Sequence, residues 1–88
     1  MEPDDPRLAE LAALAAGFRN ADGSDRWRLW PGTGGGLFYA WRLLSSPPAV
    51  LRDKNLRGLR ARMGEFERVL AETRSLAGAL AAAERLET

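Results

Sequence analysis

The sequence predicts an α+β fold with an N-terminal helix, a three-stranded antiparallel meander and a long C-terminal helix. Three observations predict it. Apolar residues recur every three or four positions near both ends, in Leu8, Leu11, Ala15 and Phe18 and again from Leu56 onward. In the middle they alternate, in "RWRLW" and "LFYAWRLL". The middle runs are separated by "PGTGGG" and "SSPP", which are too short for a crossover helix, so successive strands pair antiparallel. Eighty-eight residues make a single domain, 1–88.

Residues 1–5 read as an acidic tail and 6–19 as the first helix. Asp5 suits its cap, Pro6 suits its first turn, and Gly17 loosens or ends it. "RNADGSD" has the composition of a loop. The sheet is expected over 26–52. In its first strand Trp27 and Leu29 share one face, and Arg26, Arg28 and Trp30 the other. In the second strand Leu37, Tyr39, Trp41 and Leu43 share a face, and Phe38, Ala40, Arg42 and Leu44 the other. Both of its faces carry large apolar groups, so a helix is expected to cover one and a partner the other. Trp27 and Trp41 are expected in the core, and Trp30 as the exposed ring. "SSPP" stops the ladder, and "AVLR" is a short third strand.

The last element reads as an amphipathic helix over 55–86, broken near Gly78 in one reading. Asp53 or Asn55 caps it, and its stripe is Leu56, Leu59, Met63, Phe66, Leu70, Leu76 or Ala77, Leu80 and Ala83. A helix of roughly 30 residues extends about 45 Å, further than a small sheet covers. The surplus from about Leu70 needs another surface. The helix folds back, packs on the N-terminal helix, or pairs with a second chain. Gly78 and Ala82 would let a neighbouring helix approach closely. The homodimer is the favoured reading, with Phe66, Leu70, Leu76 and Leu80 as the partner or dimer interface.

The chain has no cysteine and no histidine. That removes disulfides, zinc sites built on these residues, cysteine nucleophiles and a Ser-His-Asp relay. Ser24, Ser45, Ser46 and Thr33 therefore have no histidine to act as base. Glu65 and Glu67 are two apart on a helix and do not face each other. The glycine run is followed by a strand and by no lysine, so it is no P-loop and reads as a hairpin connection. Its glycines position the flanking rings and arginines. A non-catalytic protein without cofactor, metal or small-molecule substrate is expected. No apolar run is long enough for a membrane helix. "MEPDDP" is unlike a signal peptide, and the expected compartment is the cytoplasm.

Charge is uneven. Residues 1–25 carry two Arg against six acids, net −4; residues 26–62 carry seven Arg and one Lys against Asp53, net +7. Residues 63–88 carry three Arg against five Glu, net −2. Arginines interleaved with tryptophans can neutralise phosphates and stack bases. The candidate nucleic-acid contacts are Arg28, Trp30, Arg42, Arg52, Lys54, Arg57 and Arg60. The same composition is that of protein interfaces.

"WRLW", a glycine-containing turn, "LFYAWR" and "SPPAVLRDKNLRGLRARM" together resemble a type of small, mostly uncharacterised actinobacterial protein. The resemblance covers roughly residues 8–66. It implies an N-terminal helix, a Trp-rich hairpin, a short third strand and a helix opening with an acidic cap and "LR". It carries no catalytic residue and supplies no function, though an accessory role beside bacterial regulators is compatible with it. The glycine run and the extended C-terminal helix depart from it. Two functions follow as expectations. The first is an oligomerising, regulatory protein-interaction module whose partner is itself or another protein. The second is a nucleic-acid-binding regulator that uses the basic region 26–62.

Overall fold

The computed structural model describes residues 6–32, 36–43, 45 and 48–87. Its elements are helix α1 (Pro6–Ala16), strands β1 (Trp27–Pro31), β2 (Phe38–Arg42) and β3 (Ala49–Asp53), and helices α2 (Leu56–Thr73) and α3 (Leu76–Arg85). The strands form one antiparallel sheet in the order β1-β2-β3. The fold is therefore α+β, with the helix and meander expected from the sequence. The acidic tail and the tip of the glycine turn at 33–35 lie outside the described residues, as do Leu44, Ser46 and Pro47.

α1 stops at Ala16, short of residue 19. Its last turn tightens through Gly17 N–H to Leu14 O and Phe18 N–H to Ala15 O. Phe18 leaves the helix but still packs on the core, with Leu14. In the following loop Asp22 Oδ1 accepts hydrogen bonds from both the Ser24 amide and its hydroxyl. Gly23 supplies a φ of 87° there.

The strands sort their residues by alternation. Trp27, Ala40, Ala49, Leu51 and Asp53 are buried on the inner face. Pro31 fits within β1 because β1 is an edge strand. Leu43 N–H bonds Arg26 O, and Gly32 N–H bonds Leu37 O. The alternation of an antiparallel ladder then turns the Pro31 nitrogen away from β2, where a missing N–H costs nothing.

α2 covers the inner face through Leu59, Met63 and Phe66, each fully buried and each contributing about 1.5–3 kcal/mol of burial. Phe66 meets the Trp27 ring edge-on, centroids 5.3 Å apart at 77°. Asn55 caps α2, its side chain accepting from Gly58 N–H at 2.7 Å. Asp53 has another task. It accepts from the Asn55 amide and from Arg62 Nε at 2.9 Å, while Arg62 also donates to Ala83 O and Glu84 O. One guanidinium thus joins the end of β3 to the C-terminal turn of α3.

The single long helix over 55–86 is replaced by two helices. The chain reverses at Thr73–Ser75, not at Gly78, and α3 folds back on α2. Arg74 adopts a left-handed conformation (φ 57°, ψ 24°) and its N–H caps Leu70 O. Ser75 then caps α3 by accepting from Gly78 N–H at 3.0 Å. Gly78 lies inside the first turn of α3. The small residues that let α3 seat closely are Ala79 and Ala83, both fully buried, instead of Gly78 and Ala82. The surplus length finds its surface within the chain.

Candidate interaction surface

All three helices contact the sheet, and their packed residues, Leu14, Leu56, Leu59, Met63, Phe66 and Ala79 among them, belong to the core on its inner side. The outward positions of the strands are Arg28 and Trp30 on β1, Tyr39 and Trp41 on β2, and Val50 and Arg52 on β3. The register places them in two rows. Arg28 faces Trp41, which faces Val50; Trp30 faces Tyr39, which faces Arg52. Trp30 is 38% exposed, Trp41 37% and Val50 41%. Trp30 stacks on Tyr39, centroids 5.6 Å apart and planes within 14°. Tyr39 also crosses Gly32, where a Cβ would lie 2.7 Å from its ring. A glycine is required there for the ring to lie down.

The arrangement is an apolar diagonal from Trp30 through Tyr39 and Trp41 to Val50, with an arginine at each remaining corner. Arg28 and Arg52 are exposed. Among the described residues neither has an ion-pair or hydrogen-bond partner for its side chain. No outward strand position holds a carboxylate. Glu84 of α3 lines a cleft with Arg52 and Val50 at the β3 edge without pairing to Arg52.

The expected core position of Trp41 is corrected by this register. Trp41 lies on the face opposite Trp27, because the two residues are diagonal neighbours of opposite parity rather than a facing pair. Trp30 is the exposed ring that the alternation predicted.

Other candidate residues serve the interior. Arg42 points inward. Its Nε lies 2.9 Å from Glu67 Oε2, an ion pair whose angle does not make it a hydrogen bond, and a second nitrogen donates weakly to Oε1 at 3.5 Å. Its guanidinium sits 5.9 Å from the Trp27 ring centroid. Glu67 also accepts the Trp27 indole N–H at 2.8 Å, and Arg26 approaches it at 3.7 Å. Arg42 is therefore a counterion of the core and is withdrawn from the set of nucleic-acid contacts.

Lys54, Arg57 and Arg60 are exposed but do not share the outer face as a group. Lys54 follows the end of β3, beside Arg52 and Leu37. Arg57 lies near Leu86 at the end of α3, and Arg60 near Ala13 of α1 and Phe18 just beyond it. Both belong to α2, on the helical side of the sheet. The basic stretch 26–62 is thus divided between two sides and an interior. On the exposed side of α2, Arg68 bridges Glu65 and Glu72 at 2.8 and 3.0 Å. Its hydrogen bond holds the Glu65 carboxyl below the usual carboxylate range.

The residues assigned to a dimer seam are also occupied. Phe66 is fully buried within the chain, and Leu70, Leu76 and Leu80 pack against the same core. A seam at these residues follows from a continuous helix, and the fold-back, the other reading the spacing allows, covers them in part from within the chain.

Sequence reasoning did not single out Tyr39 and Val50 as site residues, nor Glu67 and Asp53 as internal counterions. Alternation placed Tyr39 beside Trp41. Joining that pair to Trp30 and Arg28 required the hairpin register, which a multiple-glycine turn leaves open. No protein-family model matches the chain, and no curated protein or solved structure matches it.

Proposed function

We propose that the chain is a small non-catalytic interaction module, with an accessory or regulatory role, that binds another protein on the outer face of its sheet. One observation carries this reading. The helices cover one side of the sheet, and the other side presents two tryptophans and a valine at more than a third of their full exposure, beside a tyrosine and two unpaired arginines. Trp, Tyr and Arg are the residues that dominate binding energy at protein interfaces. Contiguous exposed apolar surface rimmed by polar groups is the form that interaction sites take. The module is assigned to the cytoplasm, the compartment expected from the sequence.

The outer face suits a different chain better than a second copy. Two copies set face to face would bring four arginines together with no carboxylate among the outward strand positions. The homodimer reading is weakened because Phe66 is buried within the chain and Leu70, Leu76 and Leu80 are already part-covered by its core. A nucleic-acid partner draws support from Arg28 and Arg52 beside exposed rings. It is weakened by the use of Arg42 inside and by the separation of Arg57 and Arg60 from the sheet.

The test is affinity capture from the source cells with the native chain and with Trp30→Ser/Trp41→Ser. Both side chains point away from the core but are part-covered on the sheet, so the comparison is made once the variant shows a cooperative thermal transition. A bound protein lost with the variant supports the reading. The same proteins retained on both chains would sink it.

A further inference from the structure

We infer that the outer sheet face takes an acidic amphipathic helix of the partner protein; this rests on the docking role proposed for that face. Size comes first. Strands 5 residues long and three abreast offer an area about 17 Å by about 10 Å. That is small for docking two globular surfaces, which typically meet over about 800 Å² on each side. It suits one helix, about 10 Å wide, crossing it for about two turns. The inner face is covered in the same manner by α2, through Leu59, Met63 and Phe66.

Charge then fixes the composition. In the two rows, Trp30 and Val50 occupy one diagonal, and Arg28 and Arg52 the other. From strand spacing and rise, each diagonal is about 12 Å long. A helix lying along the apolar diagonal has one arginine on each flank, each about 6 Å from its axis in projection. Its apolar stripe would meet Trp30, Tyr39, Trp41 and Val50. Asp or Glu on both borders of that stripe would reach Arg28 on one side and Arg52 on the other. An ion pair formed there is shielded on one side by the rings and on the other by the helix, and Arg can engage a carboxylate through two N–H groups. A basic helix would meet like charge at both flanks. A single-stranded nucleic acid would need phosphate contacts along its path, and the face supplies only two corner cations.

The experiment selects binders from a helix-stabilised peptide library of randomised 16-mers, using the full chain as bait. Binding is then mapped by amide shifts in the NMR spectrum. The expected winners have an apolar stripe with Asp or Glu on both borders, shift residues 28, 30, 39, 41, 50 and 52, and gain helicity on binding. Arg28→Glu/Arg52→Glu should weaken them at least about tenfold, and changing their border acids to Lys should restore binding to that variant. Arg28→Gln/Arg52→Gln provides an uncharged variant with an intermediate loss, should the double reversal fail to fold. Winners that lack border acids, or that bind extended, overturn the acidic helix while leaving the docking face in place. So does a ten-residue oligo-dT that displaces the winners from that face. A face that no peptide or oligonucleotide perturbs overturns both the helix and the docking role.

Discussion

Replacing Glu67 by alanine removes the acceptor of the Trp27 indole N–H and the counterion of Arg42 together. Trp27 is 1% exposed, so its N–H would be left without a partner away from water. A loss of about 2–4 kcal/mol is expected in chemical denaturation. Glu67→Gln retains an acceptor for the indole and should lose about half as much; equal losses would show that the indole bond contributes little. Gly58 is a second sensitive position. An added Cβ would lie 2.5 Å from Asp53 Oδ1, and that carboxylate is held by Arg62. Gly→Ala inside a helix ordinarily stabilises by up to about 1 kcal/mol. Here Gly58→Ala should destabilise by about 1–3 kcal/mol, because the clash is with a fixed group. A rise in melting temperature would refute this.

At the scale of elements, the α2–α3 reversal depends on caps and not on a strong breaker. Arg74 holds a positive φ of 57° without being glycine. Arg74→Gly should therefore raise stability by about 0.5–1 kcal/mol, read as an upward shift in the denaturation midpoint. No shift, or a loss, would mean that the Arg74 side chain contributes something its backbone conformation hides. Residues of the turn also explain why the helix looked continuous. Leu70 and Leu76 are six apart with Thr73 and Arg74 between them, which interrupts the stripe without any Gly or Pro. Ser75 before "LAGAL" was the available start signal, since a serine there caps the next helix. The N-terminal helix, the loop at 19–25 and the Asn55 cap were legible because each rests on local chemistry.

At the scale of the whole molecule, α3 completes the core and does not extend from it. Ala79 and Ala83 lie against the cluster that includes Leu59, Met63 and Phe66, and Arg62 ties the α3 carbonyls to Asp53. A chain ending at Thr73 would uncover that cluster and release Arg62 from two acceptors. It is expected to lose its cooperative thermal transition and to bind a dye for exposed apolar surface. A sharp transition close to that of the full chain would show that α3 is dispensable. The outer face is the counterpart: its tryptophan rings stand away from the core at more than a third of their full exposure, and that exposure is the argument for a partner. No helix of the described chain is long and apolar enough to cross a membrane.

The sequence by itself determined the α+β class, the order of one helix, three strands and a helical C-terminal region, and which residues share a face on the first two strands. Periodicity and turn chemistry are local properties, and a short chain with short connections leaves few topologies. Tertiary structure alone decided three things. It decided the hairpin register, since glycines accept many turn geometries and a shift of register changes every cross-strand neighbour. It decided where the last helix turns back, since no glycine or proline marks the break and the apolar spacing resumes at Leu76 beyond it. It decided which arginines are free. Arg42 and Arg62 are as basic in sequence as Arg28 and Arg52, but they meet Glu67 and Asp53 only once α2 lies across the sheet. What remains outward after those pairings is the apolar diagonal and its two corner cations.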